Sequence, residues 1–129
     1  MTYQLVFIAM GGALGAVARY LAVAWMTEFF GKGFPYGTLF VNVLGSLIIG
    51  IAFVIIVEKM HTNAALRPLL MVGFLGAFTT FSTFSLETFS MIQDGKLIPA
   101  VAYIFCSVIL CVLATSISVM GARLAFKVS

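Results

Sequence analysis

Long apolar runs alternate with short polar interruptions along this chain, and that alternation sets out its architecture. Apolar residues dominate from Tyr3 to Met26, Thr38 to Val57, Leu69 to Ile92 and Ala100 to Leu124. Between them lie Glu28–Tyr36, Glu58–Pro68 and Gln93–Pro99, each holding charges and a proline. A hydrocarbon core about 30 Å thick is crossed by roughly 20 helical residues, so each run predicts a transmembrane helix. The interruptions are short enough to require antiparallel neighbours. The expected fold class is an all-α membrane protein with four transmembrane helices per subunit, in a single domain over residues 1–129. Met1–Gln4 has no basic stretch and no small-residue cleavage pattern follows, so the first run reads as a span and not as a signal peptide.

Composition agrees: 63% hydrophobic and 9% charged residues, with mean hydropathy +1.19, lie far outside the range of a soluble domain. A net charge of +3 is too thinly spread for a nucleic-acid surface. The side carrying both termini holds Lys59, Arg67, Arg123 and Lys127, and the opposite side Lys32 and Lys96. Positive-inside logic puts the termini in the cytoplasm, but a margin of four to two leaves both orientations physically open. Dual insertion would permit an antiparallel homodimer. A lone bundle of this size fills its own centre with side chains, so oligomers are expected. No nucleophile–base pair, metal-ligand cluster or phosphate loop appears, and no enzyme activity is expected.

The third run departs most from an ordinary membrane helix. Gly73–Ser85 reads GFLGAFTTFSTFS, with two glycines, five Ser/Thr hydroxyls and four phenylalanines. Glycines spaced with hydroxyls predict a helix that breaks near the membrane midplane and satisfies its freed backbone through side chains or an ion. Such breaks are sites of ion or substrate binding, so the chain reads as a transport protein. Phe81 and Phe84 share a helical face. They are either a packing or lipid-facing stripe, or a pair of ring edges whose positive rim meets a small anion. Ser85 and Thr88 continue that face with hydroxyl donors.

Asn42, with Thr38 and Ser46 one turn to either side, is either interhelical glue worth about 1 kcal/mol or a donor to a desolvated anion. Tyr103, Ser107, Cys111 and Thr115 recur every four residues, a polar stripe that must face protein or water. Arg19 either snorkels to the interface or sets a positive potential at an anion vestibule. With Gly11 and Gly15 it shares a face whose Gly-x-x-x-Gly spacing predicts close helix packing. Glu87 is a proton-coupling carboxylate, a structural hydrogen-bond acceptor or a partner for a basic group. Cys106 and Cys111 read as packing residues.

Together GALGAVARY at Gly12–Tyr20, GTLFVNVLGS at Gly37–Ser46 and GFLGAFTTFSTFS at Gly73–Ser85 followed by Glu87 resemble the bacterial fluoride channels, Fluc or CrcB, over essentially the whole chain. The resemblance implies an antiparallel dual-topology homodimer in the bacterial inner membrane, with two fluoride pores lined by both subunits. It implies passive, selective fluoride export that lowers fluoride toxicity. By motif position Phe81 and Phe84 are the pore phenylalanines and Asn42 the pore asparagine. Ser82, Thr83, Ser85, Glu87, Tyr103 and Ser107 would form the polar track, and Arg19 the basic vestibule residue. A central sodium ion, structural and not transported, would be held by the backbone carbonyls of Gly76 and Thr79. Ala77 and Phe78 stand where the family commonly has a second glycine and a smaller aliphatic residue, and Cys111 where a hydroxyl is frequent. The competing class is a small proton-coupled exporter of the multidrug-resistance type. That class uses a carboxylate in its first span, where this chain carries Arg19 and no acid.

Overall fold

The computed structural model describes residues 1–61 and 64–128. Helix α1 covers Thr2–Phe30 and α2 covers Tyr36–Ala52, α2 continuing in wider π-type turns over Phe53–Met60. The chain returns through π-type turns over Arg67–Leu75 into the short α3 (Gly76–Phe78). Two extended residues then lead into α4 (Phe81–Gln93), and α5 covers Leu97–Ala125. The described residues thus form an all-helical chain with four runs long and apolar enough to cross a membrane: Thr2–Phe30, Tyr36–Met60, Arg67–Gln93 and Leu97–Ala125.

Every helical run outlasts the apolar stretch that predicts it, and two of them end at a glycine of positive φ. Helix α1 continues past Met26 until Gly31, whose φ of 78° suits glycine and whose N–H donates to the Thr27 carbonyl at 2.8 Å. Helix α4 closes in a Schellman turn at Gly95 (φ 77°). There the Lys96 N–H donates to Met91 O at 2.8 Å and the Gly95 N–H to Ile92 O at 3.1 Å. The prolines sit at helix starts, where a missing N–H costs nothing. Pro68 lies in the first turn of Arg67–Leu75 and Pro99 in that of α5. Pro35 (φ −78°, ψ 64°) makes an inverse γ-turn closed by the Tyr36 N–H on Phe34 O at 2.8 Å.

Helix α1 lies backbone to backbone on Arg67–Leu75. Gly11 and Gly15 are its buried residues. A Cβ on Gly11 would meet the Leu69 carbonyl oxygen, one on Gly15 the Phe74 backbone, and one on Gly73 the Ile8 carbonyl oxygen. The Gly-x-x-x-Gly face is therefore a contact face, as its spacing predicts. Gly12, one residue round the helix, has its nearest neighbour at 3.9 Å. Gly15→Ala is expected to cost about 1–3 kcal/mol by forcing the backbones apart. Gly12→Ala, which has room for its methyl, should instead stabilise the helix by about 0.5–1 kcal/mol. Thermal unfolding of the two variants in detergent checks the difference, and equal midpoints would count against this packing.

Helices α2 and α5 pair along their length. Thr115 Oγ1 donates to Ser46 O at 3.0 Å, and a Cβ on Gly50 would meet Ser118 Oγ. Near the end of α5, Arg123 grips Glu58 with two bonds of 2.9 and 2.7 Å, and Lys59 Nζ lies 4.8 Å from the Phe126 ring centroid. Thr38, Thr88, Ser107 and Ser118 are buried, while Leu14, Val17, Ile98 and Leu124 are exposed. Polar groups inside and apolar ones outside suit a lipid surround. Of the α5 stripe, Tyr103 and Ser107 are buried and Cys111 and Thr115 half-buried, so it faces the protein.

Candidate functional site

Thr79 (φ −90°, ψ 158°) and Thr80 (φ −152°, ψ 121°) separate α3 from α4 in extended conformation. Their backbone groups must find partners without water in a lipid setting. Asn42, arriving from α2, supplies two. Its Oδ1 accepts from the Thr80 N–H at 2.8 Å and its Nδ2 donates to the Thr80 carbonyl at 3.0 Å. Thr80 caps α4, its Oγ1 accepting from the Thr83 N–H at 3.2 Å and donating to Thr83 Oγ1 at 3.1 Å. Arg19, half-buried on α1, donates from Nε to the Ala77 carbonyl at 2.9 Å.

These diversions leave two carbonyls without their helical donors. The Gly76 carbonyl would take the Thr80 N–H in a continuous helix, but Asn42 holds that donor. The Thr79 carbonyl would take the Thr83 N–H, but Thr80 Oγ1 holds it. No other backbone amide among the described residues closes on either oxygen. Uncapped carbonyls of unwound backbone are the donor type that suits a hard monovalent cation, so Gly76 and Thr79 fit the sodium ion that the resemblance implies.

A cleft of about 400 Å³ opens beside these residues. Asn42, Gly76, Thr79, Thr80, Phe81 and Phe84 line one side, and Ser107 and Cys111 of α5 the other. The Phe81 and Phe84 rings lie 5.3 Å apart at 50°. They differ in burial: Phe84 is 8% exposed within a cluster with Met91, Ala100 and Tyr103, whereas Phe81 is 76% exposed. Ser107 is 7% exposed, and its buried Oγ has no hydrogen-bond partner among the described residues. A buried hydroxyl in that condition is a donor in want of an acceptor. Ser82 and Ser85 instead face outward on α4, Ser85 Oγ donating back to Phe81 O at 3.0 Å.

Glu87 is held from both sides. Thr38 Oγ1 donates to one carboxylate oxygen at 2.9 Å and the Tyr103 hydroxyl to the other at 2.8 Å. Of the roles the sequence leaves open for Glu87, the geometry displays that of hydrogen-bond acceptor. A second cleft, of about 440 Å³, reaches Glu87 from the end where Lys32, Phe34, Asp94 and Lys96 gather. Between the two clefts runs a series of touching rings. Phe81 meets Phe84, Phe84 meets Tyr103 at 5.0 Å, and Tyr103 meets Phe34 edge-on at 5.4 Å and 78°.

Two partners in this arrangement fall outside the candidates drawn from the sequence. Thr38 lies one turn before Asn42, and that spacing on one helical face was its available signal. Thr80 stands in the TTFSTFS string, but nothing local marks it as the residue Asn42 grips from 38 positions away.

The fold and the site define a small multi-pass membrane protein whose polar groups converge inside an apolar bundle around the extended residues Thr79 and Thr80. The chain belongs to the family described as CrcB-like protein, Camphor Resistance (CrcB), whose pattern its residues 6–121 match. It is 58% identical over 121 residues to the fluoride-specific ion channel FluC of Hahella chejuensis, covering 94% of this chain and 95% of that one. To the protein of the same name from Magnetococcus marinus it is 47% identical, covering 94% and 98%. To that from Geobacter metallireducens it is 46% identical, covering 92% and 96%.

Proposed function

We propose that this protein is a passive fluoride-selective channel, not an enzyme, that exports fluoride across the bacterial inner membrane and lowers its toxicity. The observation that carries the reading is the cleft where Asn42, Phe81, Phe84 and the unpartnered Ser107 hydroxyl converge, in a chain similar end to end to proteins named fluoride-specific channels. Fluoride is small and strongly hydrated, so a dry route must replace water with donors and positive ring edges without a fixed cation that would trap it. Hydrofluoric acid enters cells neutral and dissociates inside, and an exit for the anion then prevents accumulation.

In this reading Phe81, Phe84, Asn42 and Ser107 line the anion route. Ser82, Thr83, Ser85, Tyr103 and Glu87 extend its polar track, and Arg19 supplies positive potential. The working unit is an antiparallel dual-topology homodimer, supported by the small four-to-two margin of basic residues between the two sides and by the outward position of Phe81, Ser82 and Ser85. The extended pair Thr79–Thr80 is the midplane break. The carbonyls of Gly76 and Thr79, doubled in a homodimer, would hold a structural sodium ion, which would supply positive charge to offset the partial charge of those oxygens. The two hydroxyls on Glu87 favour a fixed acceptor over the carrier that a proton-coupled exporter would need.

Efflux from liposomes holding the purified protein, followed with fluoride-selective and chloride-selective electrodes, tests the reading. Rapid fluoride release without an imposed proton gradient, and no chloride release, is expected. Release that requires a proton gradient and disappears in Glu87→Gln would establish the exporter instead.

A further inference from the structure

Phe34 lies in the loop between α1 and α2 and is not among the residues just assigned to the anion route. Its position is nevertheless fixed on both sides. Its carbonyl closes the inverse γ-turn at Pro35, and its ring packs edge-on against Tyr103 at 5.4 Å. Tyr103 is fully buried. Phe84 lies against it at 5.0 Å, and its hydroxyl reaches Glu87 at 2.8 Å. Phe34 also lines the cleft that leads to Glu87. The Tyr103 ring is thus confined by one aromatic from the loop and one from α4.

We infer that Phe34 is a positioning residue for the anion route: its ring holds Tyr103 so that the hydroxyl stays on Glu87 at the partition between the two clefts. The inference rests on the channel reading for its functional consequence. Edge-to-face pairs carry an energy beyond their apolar area and prefer a defined orientation. A leucine of comparable bulk fills the space without supplying that orientation. With the loop-side ring gone, Tyr103 turns, Glu87 loses one of its two donors, and the end of the track facing Lys32 and Lys96 loses its set geometry. In the ring series Phe34 meets Tyr103 and no other member, which makes Tyr103 the expected route of its effect.

The test is a double-mutant cycle read by fluoride efflux. Phe34→Leu is expected to lower the rate about tenfold and Phe34→Tyr to restore it, whereas in a Tyr103→Phe background Phe34→Leu should add almost nothing. Phe34→Met, equally ringless, makes the same comparison where leucine impairs folding. A second readout does not depend on transport. The protein has four tyrosines; with 3-fluorotyrosine in their place, the Tyr103 resonance is the one lost in Tyr103→Phe. That resonance should shift in Phe34→Leu. Additive effects in the cycle, or a Tyr103 resonance indifferent to Phe34, would overturn the inference. Absence of fluoride efflux from the unmutated protein would overturn the channel reading instead, and the resonance would still decide the positioning.

Discussion

Phe81→Ile is expected to reduce fluoride efflux on the order of a hundredfold, equivalent to about 2.7 kcal/mol of barrier, while lowering thermal stability less than Phe84→Ile. The two halves of that expectation have separate causes. The Phe81 ring is 76% exposed in the single chain, so its truncation removes little internal packing. Its place on the cleft beside Asn42 and Thr80 is where a ring edge can face an anion, and isoleucine has the bulk but no quadrupole. Phe84→Ile should lose efflux comparably but also destabilise, because Phe84 is packed against Tyr103 and Met91 in the buried cluster. Paired efflux and unfolding measurements separate the two. Full throughput in Phe81→Ile would remove the ring-edge argument and return the pair to the packing stripe that their spacing alone equally describes.

The difference between these two phenylalanines marks where reading the sequence reaches its limit. Three-residue spacing put them on one helical face, and they do touch. Which one turns inward depends on α5, whose Tyr103 arrives from far along the chain. The four runs, the glycine face of α1 and the inward stripe of α5 were legible because each is periodic within one helix. Helix ends were less so, since polarity marks where lipid should stop while Gly31, Gly95 and the three prolines mark where the backbone turns. Least legible were the pairings: Arg19 with the Ala77 carbonyl, Thr38 and Tyr103 with Glu87, and Asn42 with Thr80 join residues of different helices. Composition supplied the participants, and the bundle decided who meets whom.

The Asn42 pairing has the larger consequence, because it satisfies both backbone groups of the extended Thr80. Asn42→Ala removes an acceptor from the Thr80 N–H and a donor from the Thr80 carbonyl. Leaving a buried backbone group unsatisfied costs about 1–3 kcal/mol, and a lipid surround offers no water to replace the amide. The nearest remedy is for the Thr80 N–H to bond the Gly76 carbonyl, extending α3 by closing the very oxygen proposed to face sodium. Asn42→Ala should therefore abolish efflux and lower the unfolding midpoint together. Asn42→Asp is the sharper variant. Its carboxylate still accepts from the Thr80 N–H but sets a second oxygen against the Thr80 carbonyl, so half the clamp survives. It should recover part of the stability lost in Asn42→Ala and none of the flux, since it also places a negative charge beside the anion route. If Asn42→Asp conducts like the unmutated protein, the amide is neither clamp nor donor, and the extended pair Thr79–Thr80 must be held open by something other than α2.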